Sequence, residues 1–288
     1  MREAGVAFMQ KQQEIEANGL MELSIGMMDS GVGGLTVAKA VMRQLPHEPL
    51  IYFGDTARCP YGPRPPEEVR RYAWEVIHFL QEFSLKMLVI ACNTVTATML
   101  TEVRKTLPIP VIGVITPGVR AALRQTKTGR IGVIGTQGTI SSGAYEQQLL
   151  RLNPNLHVAS LACPSFVPLV EEGRYRAPEA EDIVRETLRP LMEEQLDTLI
   201  LGCTHYPLLA PIIQKVMGEG VTLISSAEET AKEVDSYLRT YRLLHPSTLG
   251  PAPRQIYVSG DPEQFRRIAS DWFGREFPVT GIQWPQVG

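Results

Sequence analysis

Leu88-Val89-Ile90-Ala91-Cys92-Asn93-Thr94 and Leu199-Ile200-Leu201-Gly202-Cys203-Thr204-His205 are the two stretches around which the chain is organised. Each is a short apolar run that stops at a cysteine and small polar residues. An apolar run without polar alternation reads as a strand covered on both faces, as in a parallel sheet. In open α/β sheets, ligands sit at the carboxyl ends of such strands. The chain therefore offers two thiols, in similar contexts, at two ligand-facing positions.

Working outward, strands and helices alternate. Residues 24–28, 50–54, 86–92 and 111–115 read as strands, with helices over 35–45, 67–83 and 95–106. Val69, Ala73, Val76, Leu80 and Phe83 have the spacing of one helical face. The order then restarts. Strands are predicted at 130–134, 156–161, 198–201 and 221–225, and helices running toward Leu152, over most of 178–195 and near 227–238. Pro190 is expected to kink or break its helix. A proline-marked loop at 245–253, a strand at 255–259 and a helix at 262–273 close the chain. This alternation predicts parallel βαβ units.

The two halves share landmarks in one order: Gly-rich turns after Asp29 and Gly135, Cys-Pro pairs at 59–60 and 163–164, then the cysteines at 92 and 203. That order predicts two similar open, mainly parallel α/β domains with a site in the cleft between them.

The 288 residues suffice for two modest domains at about 150 residues each. A hydrophobic content of 44% with 20% charged residues is that of an ordinary globular protein. A net charge of −3 supplies no basic field for nucleic acid and no polybasic membrane anchor. No apolar run approaches the roughly 18 residues of a membrane span. Cys59, Cys92, Cys163 and Cys203 are far apart, with neither CxxC nor zinc-type spacing. They read as reduced thiols in a cytosolic protein, with no metal expected. Residues 1–21 carry Arg2, Glu3, Lys11, Glu14 and Glu16 and no apolar core, which argues against a secretory signal. They read as a polar extension, with Met21 as a possible second start.

A single cysteine is more often inert packing than chemistry. Two at matching strand ends argue for chemistry. A helix N-terminus beside each thiol is expected to move its pKa from about 8.5 toward neutrality. His205 stands two residues past Cys203 and could take or hold its proton; the alternative is a solvated loop histidine. Asp29, ending the first strand, could serve Cys92 likewise; the alternative is a helix cap. The turn Asp29-Ser30-Gly31-Val32-Gly33-Gly34 could aim backbone N–H groups at an anion, although it lacks the GxGxxG form. Ser30, Asn93, Thr94, Thr136, Thr139 and Thr204 supply neutral donors suited to a small carboxylate, or cap the helices that follow.

The set DSGVGGLT at 29–36, GDTARCPYG at 54–62, ACNT at 91–94, GVIGTQGT at 132–139 and GCTHYPLL at 202–209 resembles the glutamate racemases. The resemblance covers roughly residues 24–240. It implies a cofactor-independent enzyme that interconverts L- and D-glutamate and supplies D-glutamate for peptidoglycan. It also implies a homodimer, with no nucleic-acid or membrane partner. Aspartate racemases share the fold and the paired cysteines, while DSGVGG and PYG point to the glutamate branch. By position, Cys92 and Cys203 match the proton-transfer thiols, and Asp29 and His205 their assisting groups. Ser30, Tyr61, Gly62, Asn93, Thr94, Thr136 and Thr204 match substrate contacts, with Pro60, Thr139 and Glu171 as further candidates. The implied division is an extension at 1–21, a first domain of 22–116 plus 226–288, and a second of 117–225.

Two thiols suit this chemistry. Inverting a carbon requires a proton to leave one face and another to arrive on the opposite face. One thiolate and one thiol across a cleft can do both, exchanging roles with direction. A non-catalytic amino-acid-binding protein would not need a thiol on each side, and a redox dithiol would favour CxxC.

Overall fold

The computed structural model describes residues 19–246, 252–274 and 276–284. Most of the predicted extension lies outside these residues, as does part of the 245–253 loop. Within them, ten strands form two sheets in which every pairing is parallel. The first sheet contains β1 (Ser24–Asp29), β2 (Leu50–Gly54), β3 (Leu85–Ile90), β4 (Val111–Gly113), β9 (Arg254–Val258) and β10 (Val279–Gly281), in the order β10-β9-β2-β1-β3-β4. The second contains β5 (Arg130–Gly135), β6 (His157–Ala162), β7 (Thr198–Gly202) and β8 (Thr222–Ser225), in the order β6-β5-β7-β8.

Counting within each half, the order second-first-third-fourth occurs twice. Among the strands that pair on both sides, every residue of β2, β3 and β7 is buried. At the edge, β6 has no buried residue. Apolar cores cover both faces of each sheet. Val37, Val41 and Met27 lie on one face of the first, and Met28, Val76 and Val95 on the other. Leu199 and Phe166 against Ile131 and Val133 mark the two faces of the second. The helix Ser226–Thr240 joins the sheets by packing on the helices Leu35–Gln44 and Ile115–Gln125.

Lys86 is a charged residue inside the apolar β3. It is buried and ion-paired to Glu48 at 2.5 Å, and its Nζ donates to the carbonyls of Met21 and Leu243 at 2.9 Å each. Those extra bonds satisfy an ammonium that burial would otherwise leave costly.

Several predicted boundaries move. The strand expected through Cys92 stops at Ile90, and Cys92 stands at the start of the helix Asn93–Thr106. The helix toward Leu152 is two, Gln137–Ser141 and Ala144–Leu152, separated at Gly143 with φ +66°. Pro190 does not break its helix in the middle; Glu179–Met192 ends two residues beyond it. The helices Ile115–Gln125 and Ala210–Met217 and the strand β10 have no counterpart in the sequence reading. Both helices carry a proline in the first turn, Pro117 and Pro211. Proline fits there because no intrahelical N–H bond is lost, but in sequence it reads as a loop.

Candidate active site

Because all strands of each sheet run the same way, their carboxyl ends collect along one edge, and the two edges meet. The Gly138 N–H donates to the Gly62 carbonyl at 2.9 Å. Thr94 Oγ1 lies 2.9 Å from Thr136 Oγ1, which lies 3.0 Å from Thr139 Oγ1. Thr204 Oγ1 donates to Asp29 Oδ2 at 3.2 Å. These contacts tie the ends of β1 and β3, and the loop after β2, to the ends of β5 and β7. Gly62 has to be glycine, since a methyl group there would stand 2.4 Å from Thr136 Cβ.

Cys92 and Cys203 face this junction and are 5% and 6% exposed. They lie within electrostatic reach of one another, since charge on Cys203 helps to push up the Cys92 thiol. Their surroundings differ. Cys92 Sγ donates to Ser30 Oγ at 3.7 Å. Burial, then repulsion from Asp29, pushes its pKa up to about 12, against the opposing pull of the Val95 N–H and Ser30. This corrects the expectation of a thiol shifted toward neutrality. The helix N-terminus is present, but loss of solvent outweighs it.

Cys203 Sγ lies 3.6 Å from His205 Nδ1, and His205 Nε2 lies 2.6 Å from Glu171 Oε1. His205 is 2% exposed, which excludes a solvated loop residue. Burial opposes its positive charge, but hydrogen bonds to Cys203, Cys59 and Glu171 prevail and hold its pKa well above the usual imidazole value. Burial likewise opposes the Glu171 carboxylate, yet bonds from His205, the Val32 N–H and Cys59 hold it below the usual range. A charged imidazolium–carboxylate pair therefore stands behind Cys203.

Asp29 is wholly buried, and desolvation pushes its pKa up to about 6, against attraction from His205 and hydrogen bonds from Gly31, Gly34 and Thr204. Its acceptor contacts with the Gly31 and Gly34 N–H groups hold the turn that leads into the helix Leu35–Gln44. The Asp29–Gly34 turn is not open to an external anion at its first amides. The Gly31 N–H donates to Asp29 Oδ1 at 3.0 Å and the Val32 N–H to Glu171 Oε1 at 3.3 Å. Its glycines instead admit the second half: a methyl group at Gly33 would stand 2.5 Å from His205 Nδ1.

Asn93 supplies an unpaired donor. The Tyr145 hydroxyl donates to its Oδ1 at 2.7 Å, which fixes the amide, and its buried Nδ2 has no partner. An unmet buried donor costs about 1–3 kcal/mol, so a carboxylate arriving there would be stabilised.

Other predicted residues play supporting parts. Tyr61 is buried with its hydroxyl on Asp55, a carboxylate that also accepts from Arg58 at 2.7 Å, Ser259 at 2.5 Å and Trp284 at 3.1 Å. Thr136 does cap a helix, accepting from the Thr139 N–H at 3.3 Å. Pro60 follows Cys59 through a cis peptide bond. Sequence reasoning missed Tyr145, whose partner Asn93 is 52 positions away, and Asp55, which joins nearby Arg58 and Tyr61 to distant Ser259 and Trp284. It treated Cys59 only as a landmark, whereas its Sγ donates to Glu171 Oε1 at 3.4 Å. Cys163, its counterpart, faces an apolar cluster. Among the described residues no helix is long and apolar enough to cross a membrane.

Residues 25–234 match the family model described as Asp/Glu/Hydantoin racemase. The chain is 56% identical over 254 residues to a glutamate racemase of Oceanobacillus iheyensis, covering 88% of this chain and 92% of that one. A glutamate racemase crystal structure from Bacillus anthracis superposes with TM-score 0.88 at 48% identity, covering 91% and 98% of the two chains. A glutamate racemase from Francisella tularensis, solved in complex with D-glutamate, gives TM-score 0.85 at 35% identity, covering 92% and 98%.

Proposed function

Since the chain belongs to the Asp/Glu/Hydantoin racemase family, we propose that it is a cofactor-independent glutamate racemase, supplying D-glutamate for peptidoglycan. The observation that carries this reading is the pair of buried thiols at equivalent strand ends of two like-ordered sheets, with the unpaired Asn93 amide at the same junction.

In this reading Cys92 and Cys203 transfer protons on opposite faces of the α-carbon. His205, backed by Glu171, stands 3.6 Å from the Cys203 sulfur and exchanges a proton with it, while burial favours the protonated form of Cys92. Asp29 sits beside Cys92 and titrates near neutrality, so it can hold or release a proton as Cys92 changes state. The α-proton is far less acidic than a thiol, so the carbanion needs support through its carboxylate. Asn93 Nδ2 and the Thr94 and Thr204 hydroxyls are the donors for it, and one such donor is worth about 10²–10³ in rate. Ser30, Gly62 and Thr136, with Tyr61, Pro60 and Thr139 behind them, shape the substrate pocket. The thiols' near-complete burial requires the two edges to part before glutamate enters.

We further propose the domain division of 22–116 plus 226–288 against 117–225, a cytoplasmic location and a homodimer. The deciding experiment is cofactor-free incubation of each glutamate enantiomer, and of aspartate, in deuterated water. Early product should carry deuterium at Cα while unreacted substrate does not. Binding without α-proton exchange would make the protein a binding module, and exchange on aspartate alone would change the substrate.

A further inference from the structure

Cys59 belongs to neither member of the proton-transfer pair, yet its sulfur lies among the groups that serve Cys203. Its Sγ is 3.4 Å from Glu171 Oε1, and that oxygen is 2.6 Å from His205 Nε2. All three heteroatoms fall within 4.8 Å of one another. They come from three segments: the loop after β2, the last residue of the helix Phe166–Glu171, and the loop after β7. Gly31 permits the approach, since a methyl group there would stand 2.6 Å from Glu171 Oε1 and 2.8 Å from Cys59 Sγ.

We propose that Cys59, Glu171 and His205 form a binding site for a thiophilic divalent cation, with zinc as the type ion, and that its occupation halts proton transfer at Cys203. Sulfur, imidazole nitrogen and carboxylate oxygen are the donors zinc prefers, and three protein ligands leave a fourth position for water. Zinc–ligand bonds of about 2.0–2.3 Å place neighbouring donors of a tetrahedron roughly 3.3–3.8 Å apart. The Cys59–Glu171 separation already has that length. The Glu171–His205 hydrogen bond has to open by only about 1 Å or less.

Binding balances without electron transfer. The cation replaces the thiol proton of Cys59 and the proton shared between His205 Nε2 and Glu171 Oε1, and both protons leave to solvent. With Nε2 on the metal, the ring that faces the Cys203 sulfur at 3.6 Å is pinned and its hydrogen bond to Glu171 is broken, which removes the arrangement that serves Cys203. The site is inhibitory rather than a resident cofactor site. Cysteine spacing does not reveal it, because Cys59 and Glu171 are 112 positions apart and meet only in the folded chain.

The metal-binding claim stands apart from the racemase reading; only the inhibition rests on it. Zinc binding to the full chain is measured by equilibrium dialysis, and cobalt binding by its thiolate-to-metal charge-transfer band. The chains compared are the native one, Cys59→Ala, Cys59→Ser and Cys92→Ala, each checked for native circular dichroism. The expected result is one ion per native chain, a retained site in Cys92→Ala, and loss of affinity in both Cys59 variants. That loss should exceed about 10-fold, the least that even an outer-sphere partner produces. Inhibition, expressed relative to each chain's own metal-free rate, should shift to higher zinc by the same factor in the Cys59 variants. Absence of stoichiometric binding, binding that survives Cys59→Ala, or binding lost equally in Cys92→Ala would overturn the proposal. The last outcome would place the metal on the reacting thiols. Metal-free activity judges the racemase reading independently of all three.

Discussion

The Cys92 and Cys203 strand ends occupy equivalent places in two sheets of the same strand order, yet their electrostatics are not equivalent. Behind Cys203 stands an imidazole 3.6 Å from the sulfur, itself held by a carboxylate. Behind Cys92 stand a serine hydroxyl at 3.7 Å and an aspartic acid pushed up to about 6. Repetition of a fold fixes where a side chain is placed, but not its charge state. That depends on the loops that happen to meet it. Here the difference sets an imidazole–carboxylate pair beside one sulfur and leaves the other a buried thiol pushed up to about 12.

The largest expected effects test what the two ends share. Cys92→Ala and Cys203→Ala should each lower kcat/KM by about 10²–10⁴-fold or more, the range of a positioned acid or base. The loss must be the same in both directions, because enantiomers have equal free energies in water and the equilibrium constant is unity. Retention of full activity in either variant, measured by circular dichroism of glutamate, would dismantle the two-thiol mechanism.

A smaller effect should separate the ends. His205→Asn removes a partner that changes charge with Cys203, and should cost about 10²-fold. Ser30→Ala removes one neutral hydrogen bond, and should cost no more than about tenfold. Equal losses in kcat/KM would erase the asymmetry. Asn93→Ala tests the junction they share. It should lower kcat by about 10²-fold. Thermal stability should fall little, because the variant removes an unmet buried donor along with the one bond to Tyr145.

The last effect concerns stability and pH rather than rate. Asp29 binds its proton more tightly in the folded chain than in the unfolded one, so its contribution is fully present below the usual carboxylate pKa near 4. It is lost as pH rises through about 6. The shift corresponds to about 3 kcal/mol. Chemical denaturation of Asp29→Asn should lack this decline, leaving the variant relatively more stable at pH 7 than at pH 4. An unchanged profile would mean that Asp29 is charged at pH 4 to 6.

The site was legible to the extent that its residues lie in local motifs. Strand-end cysteines follow from apolar runs that stop, and His205 is near Cys203 because two residues separate them. The Tyr145–Asn93 bond, the Asp55 cluster and the place of Cys59 beside Glu171 were not legible. Each joins segments whose separation in the chain carries no local signal. The fold behaved similarly: long alternating elements stood out, while β10 is three residues long and two helices carry proline in the first turn.

By itself the sequence determined the parallel α/β class, the doubling of the pattern and the two thiol positions. These depend on short-range periodicity and on where apolar runs end. Only the tertiary structure decided the charge states. It buried Cys92 enough to override the helix N-terminus, set Glu171 against His205, and left the Asn93 amide without a partner. Desolvation and pairing depend on which distant groups exclude water from a site, and that is settled when the two sheet edges meet.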